Sequence, residues 1–274
     1  MMAVGKRPKS SVYRLGSVSR RRTSRHSRRR PATLVLRSFL SLSAAAAAEL
    51  GCSPTKHMAK KTAPFDWRPF LEQVSRDLLA DDAIRGMVPQ EVVASGWLGY
   101  HGAREEEIVA LEKRLGAALP PSYSSFLAVT NGWRNCGPFI YNLWACSDVR
   151  WFQERNREWI DAYVHPENSG ITIVYPPGQE SPKPGPLTDE EYLNYGEGQD
   201  SCRFHTEYLQ TALEISDVGD SAVLLLNPKT VSDSGEWEAW LFANWMPGAH
   251  RYRSFRELMQ GEYESFLRLR AGDE

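Results

Sequence analysis

The sequence predicts an α+β fold, with N-terminal helices, then a mainly antiparallel sheet, then one closing C-terminal helix. Three observations carry this. Apolar residues recur at helical spacing between Phe70 and Thr130, apolar runs of strand length follow between Ile171 and Ala243, and helical spacing returns after Ser254. Segregated helices and strands give α+β rather than an alternating α/β order.

The elements follow in order. Phe70, Val74, Leu78 and Leu79 share one face of a leading helix within Asp66 to Ala83, and a loop runs from Pro89 to Gly102. Glu105, Glu106 and Glu107 place negative charge at the start of the next helix, with Lys113 and Arg114 near its end, where the helix dipole favours each sign. Ile108, Leu111 and Leu115 form its apolar stripe, and Gly116 supplies the left-handed residue that follows a last turn. Pro120 and Pro121 stop continuation and open a second helix, whose Tyr123, Phe126, Leu127 and Thr130 share a face before Asn131-Gly132.

Pro138 to Trp144 reads as a short strand, Asp148 to Tyr163 as a helix, and Ile171 to Tyr175 as a β-branched strand. Pro176 to Asp200 is a Pro- and Gly-rich acidic loop. Strands then cover Ala212 to Ile215, Ala222 to Leu226 and Trp237 to Ala243. The middle one is apolar throughout and is expected to be central and covered on both faces. Ser254 and Glu257 have capping-box spacing, and Phe255, Leu258, Met259, Phe266 and Leu267 line the closing helix.

Charge is divided unevenly. Residues 1–57 hold 13 Lys and Arg against one acid, Glu49, and residues 58–274 hold 20 bases against 33 acids. The first part is rich in Arg and Ser and poor in aromatics, a composition expected to stay disordered. Three readings of it stand side by side. It is a nucleic-acid arm built on Arg20 to Arg30, an export signal with Ser27-Arg28-Arg29 and Leu50-Gly51-Cys52, or an extension upstream of a true start at Met58. Arg37 and Glu49 count against export, and the abrupt change in composition favours the start at Met58. The resulting division is a basic leader at 1–57, a leading helix and loop at 58–96, and the main domain at 97–274 with its acidic loop at 176–200.

No run of 18 apolar residues exists that would span a membrane. Cys52, Cys136, Cys146 and Cys202 form no CxxC pair, which fits packing roles in a reducing cytosol and a cytoplasmic location. The sequence offers no nucleophile elbow, phosphate-binding Gly-rich loop or HExxH helix, and Cys202 with His205 lacks a second ligand pair. The expectation is a protein with no catalytic set, no metal and no cofactor. Acids beside aromatics stand out instead. Glu190 and Glu191 lie near Tyr192 and Tyr195, and Glu236 and Glu238 flank Trp237, a pattern suited to steering a basic protein partner rather than nucleic acid or membrane. For any one of these residues an ordinary solvated or core role is the stronger reading.

Leu111, Glu112, Arg114, Leu115, Gly116, Leu119, Pro120, Pro121, Tyr123, Phe126, Leu127, Asn131, Gly132 and Trp133 together resemble the N-terminal signature of the Smi/Knr family of the SUKH superfamily. Ser95-Gly96-Trp97-Leu98-Gly99 and Gly102-Ala103 are similar to a subgroup of it, and Ile215, Asp217, Gly219 and Asp220 before Val223 to Leu226 form a second match. The resemblance spans roughly Trp97 to Leu269. It implies a non-catalytic binding module. Bacterial members act mostly as immunity proteins that bind and block a toxin, often a nuclease, and fungal relatives act as scaffolds in cell-wall synthesis and signalling. On the first implication Glu190, Glu191, Asp217, Asp220, Glu236 and Glu238 become candidate contacts to a basic toxin domain, and on the second the protein is a regulatory scaffold. The sequence leaves the partner's identity and the oligomeric state open.

Overall fold

The computed structural model describes residues 65–137, 139–165, 186–246 and 248–272. The chain divides into units 1–59 and 60–274, and the described residues all belong to the second. The basic leader, the start at Met58 and the strand expected over Ile171 to Tyr175 lie outside the described residues.

Five helices come first: α1 (Trp67–Leu79), α2 (Asp82–Met87), α3 (Gln90–Ser95), α4 (Glu105–Leu115) and α5 (Pro121–Val129). Asp66 caps α1 through the Arg68 N–H, and Pro121 opens α5 where its missing N–H costs nothing. The leading helix is shorter than its apolar spacing suggests. Asp81 starts α2 by accepting from the Ala83 and Ile84 N–H groups, which ends the first helix within the expected span.

A two-stranded ribbon follows, β1 (Trp133–Arg134) with β2 (Asn142–Leu143). The main sheet has the order β3 (Arg150–Trp151), β4 (Leu213–Glu214), β5 (Ala222–Val231), β6 (Trp237–Ala243), β7 (Ala249–Tyr252), and every neighbouring pair is antiparallel. The stretch Asp148 to Tyr163 is β3, a 3-10 turn and α6 (Arg157–Val164) rather than one helix. Three further corrections follow. Helix α3 occupies the start of the loop expected from Pro89 to Gly102, the strand beginning at Ala222 runs on to Val231, and the short α7 (Asp189–Tyr192) interrupts the described part of the acidic loop. α8 (Phe255–Ala271) closes the domain, capped by Ser254 accepting from the Glu257 N–H.

The period of two sorts the sheet residues into two cores. Leu224, Leu226, Ala239 and Leu241 face a helical layer containing Trp67, Leu71, Phe126 and Phe255. Val223, Leu225, Trp240 and Phe242 face the other way, onto Phe152, Ile160 and Leu209. β5 is central and covered on both faces, as its unbroken apolar run requires.

Candidate functional site

The signature residues are spent on architecture. Leu111, Leu115, Leu119, Pro120, Tyr123, Phe126, Leu127, Gly132 and Trp133 are buried. Glu112 accepts the Leu119 N–H at 2.8 Å, fixing the turn between α4 and α5, and Gly116 ends α4. Arg114 donates to the Val149 and Cys146 carbonyls, and the Asn131 side chain accepts the Cys146 N–H at 2.7 Å. The α4–α5 hairpin is thereby tied to the chain that leads into β3. The Tyr123 hydroxyl is buried without a hydrogen-bond partner among the described residues, and burial pushes it well above the usual phenol range.

The six candidate contact acids are dispersed. Glu190 and Asp220 are exposed. Glu191 is exposed but closes a capping box with Thr188 and pairs with Arg203, and these bonds hold its carboxyl below the usual range. Glu236 accepts the Ser122 N–H at 2.9 Å and the Ser122 hydroxyl at 2.6 Å, so a residue from the β5–β6 turn caps α5. Glu238, which reads from its neighbours as part of a solvated face, is 1% exposed.

Glu238 lies at the centre of a polar cluster on the outer face of β6. Its carboxylate accepts from Tyr192 at 2.6 Å, Trp240 at 2.7 Å, Asn227 at 2.8 Å and Tyr195 at 3.0 Å. The Arg251 guanidinium lies 3.3 Å away, stacks 4.2 Å over the Tyr192 ring and donates to the Tyr192 carbonyl. Burial and the adjacent carboxylate push both tyrosines well above the usual phenol range. The part of the acidic segment that carries Tyr192 and Tyr195 is therefore pinned to the sheet by its aromatics, with Glu190 left outside.

A second arrangement is built by the downstream motif. Asp217 accepts from the Tyr141 and Asn142 N–H groups at 3.2 and 3.1 Å and from the Asn142 side chain at 2.8 Å. A Cβ on Gly219 would lie 2.2 Å from the Phe139 carbonyl oxygen, so only glycine allows this approach. Asp220 and Ser221 adopt left-handed backbone at φ 41° and 62°. The Trp245 indole donates to the Asp220 carbonyl at 3.0 Å and packs 5.0 Å from the Phe139 ring. The Asp220 side chain beside the Tyr141 hydroxyl raises it above the usual phenol range.

Three loops thus hold Tyr141 (38% exposed), Val218 (48%) and Trp245 (51%) beside the Asp220 carboxylate. Trp and Tyr that are fixed in place yet solvated, next to one charge, have the composition of an interface hot spot. Sequence reasoning passed over Trp245, although a large aromatic in the turn Asn244-Trp245-Met246, directly after a strand and before Pro247-Gly248, was the available signal.

Among the described residues no group of three or more His, Cys, Asp or Glu is arranged to hold a metal ion. His205 faces Glu207 at 3.1 Å. No described helix is long and apolar enough to cross a membrane.

Helices, then an antiparallel sheet, then a closing helix, with the signature spent on the α4–α5 hairpin, define an α+β domain of the SUKH type. The chain belongs to the SMI1 / KNR4 family (SUKH-1), whose family model matches residues 102–261. No curated protein matches it.

Proposed function

We propose that this chain is an immunity-type binding protein that neutralises a cognate basic toxin domain by covering it. The carrying observation is the braced cluster of Trp245, Tyr141 and Val218 around Asp220, which presents aromatic anchors and a carboxylate on loops the motif has already ordered. Ordering before contact removes part of the entropy cost of association. The excess of acids over bases in residues 58–274 supports attraction of a basic partner at long range, and exposed Glu190 adds to it. Family membership supports a protein-binding role without selecting the partner. Asp217, Glu236 and Glu238 contribute as positioning residues, since their carboxylates are engaged internally.

The test is co-purification from the native cell with the full chain as bait, at low and high salt. Recovery of a basic toxin domain is expected. Trp245→Ala should weaken its capture by about 2 kcal/mol or more, as for a central interface aromatic. Asp220→Lys and Glu190→Lys should mainly slow association and flatten its salt dependence. Specific recovery of wall-synthesis or signalling proteins, with capture unaffected by Trp245→Ala, would replace this reading with the scaffold role.

A further inference from the structure

The motif Ser95-Gly96-Trp97-Leu98-Gly99 with Gly102-Ala103 builds the wall of a groove that meets the proposed contact surface only at Tyr141. A Cβ on Gly102 would fall 2.1 Å from the Ala128 carbonyl oxygen, so this segment can lie flat against the end of α5 only as glycine. Leu98 is held by the Ser75 hydroxyl, Tyr100 by the Thr130 hydroxyl, and Gly99 bridges to Trp133. The segment therefore forms a fixed wall.

Along that wall lies a hollow of about 470 Å³, and a second of about 370 Å³, lined by none of the motif residues, shares Arg134 with it. In the first, the Arg68 guanidinium lies 4.2 Å over the Trp97 ring and the Arg134 guanidinium 3.7 Å over Tyr100. The second is lined by Met87, 63% exposed, and by Tyr141. Arg134 is fixed by three contacts: the Tyr100 ring, and its Nη1 donating to the Leu98 and Gly99 carbonyls at 3.0 and 2.9 Å. Among the described residues no carboxylate pairs with it, and its Nε and Nη2 have no hydrogen-bond partner without being enclosed. Arg68 by contrast is paired with Glu72.

We propose that this groove docks an extended acidic peptide of a partner protein, one carboxylate bonding Arg134 and a neighbouring apolar or aromatic side chain lying on Trp97 and Tyr100. Charge complementarity supports that occupant. Of the two guanidiniums in the lining, Arg68 is taken up by Glu72, so the complementarity rests on Arg134, with Glu91 as the lining's one carboxylate. The surrounding domain is acidic, and Asp217 bonds Asn142 of the second hollow, so the peptide carboxylate is placed at Arg134 on the side of the first hollow, where repulsion from acids beyond about 8 Å is screened at physiological salt. Both hollows are lined by Arg134, so a chain whose successive side chains occupy the two can reach the guanidinium from either. This occupant has the opposite charge to the basic partner proposed above, so either proposal can fail without the other.

The test titrates the full chain, labelled with ¹⁵N at tryptophan, with an acetylated and amidated hexapeptide carrying two aspartates around a phenylalanine, and with its asparagine counterpart. The acidic peptide should shift the Trp97 indole N–H resonance saturably, with the asparagine peptide weaker by about tenfold or more. Arg134→Gln should remove that preference and Arg134→Lys should retain part of it. If Arg134→Gln fails to fold, the parent chain is titrated at low and high salt instead: the preference for the acidic peptide should shrink as salt rises, and a preference independent of salt counts as one that survives. An unmoved Trp97 resonance at millimolar peptide, equal binding of the two peptides, or a preference that survives the guanidinium substitution overturns the proposal.

Discussion

Glu238 and Glu262 are both enclosed carboxylates, 1% and 3% exposed, and they are treated in opposite ways. Glu238 receives four side-chain donors and a guanidinium. Glu262 on α8 receives the Tyr252 hydroxyl at 3.4 Å, beside Cys136 and Gly137 of the loop between β1 and β2. Burial without adequate donors disfavours the charged form, and the Glu262 carboxyl is pushed up to about 7. Enclosure alone therefore says little about a carboxylate: the donors around Glu238 make it a clamp for the segment that carries Tyr192 and Tyr195, whereas the single long bond to Glu262 leaves burial to raise its carboxyl.

The sharpest way to break this comparison is Glu238→Ala. It leaves the Arg251 guanidinium enclosed without its carboxylate, and stability should fall by about 3–5 kcal/mol, read from urea unfolding. A loss below about 1 kcal/mol would mean that the cluster is not closed in solution.

Glu262 makes a prediction with a definite sign. Its folded pKa is raised above the unfolded value, so between about 4.5 and about 7 the folded state holds the extra proton, and stability falls as pH rises through that window. The accumulated change is up to about 3 kcal/mol. Glu262→Gln should abolish this slope relative to the parent chain. His250, whose pKa is lowered by burial and by Arg251 and Arg268, titrates with the opposite sign and cancels in the difference. Equal slopes for the two proteins from pH 4.5 to 8 would show that Glu262 reaches solvent.

Tyr192→Phe removes a single donor from Glu238 and should cost about 1.5–3 kcal/mol, the range for a hydrogen bond to a charged group. Amide exchange over residues 189–199 should accelerate with it, because this side chain pins that segment. The smallest effect is expected at Glu190. It is exposed, so Glu190→Lys should change stability by less than about 0.5 kcal/mol while altering salt-dependent partner capture.

Much of the fold was legible in the sequence, because α4 and α5 carry charge order, an apolar stripe and prolines within one short stretch. The apolar run of β5 likewise announced a strand covered on both sides. β4 falls inside the strand expected over Ala212 to Ile215, but β3 is two residues long, too short to display a period of two, and β7 reads Ala-His-Arg-Tyr, whose polar pair hides a strand carrying the enclosed Arg251. The site was less legible for a related reason. A glutamate between Trp237 and Ala239 looks solvated until its donors are known, and besides Trp240 and Asn227 these come from Tyr192, Tyr195 and Arg251, up to 46 positions away in the chain. The exposed anchors were hidden differently, since the Trp245 platform is assembled from three loops and no single stretch contains it.

The bond from Glu236 to Ser122 spans 114 positions, and it sets an order of events during synthesis. At about 5–20 residues per second, a ribosome needs on the order of ten seconds after making Ser122 before Glu236 exists. Until then helix α5, the heart of the signature, has no native acceptor for its Ser122 N–H. The most recognisable stretch of the protein is thus completed only by a residue translated late, and a nascent chain stalled within β5 would carry the signature without its cap.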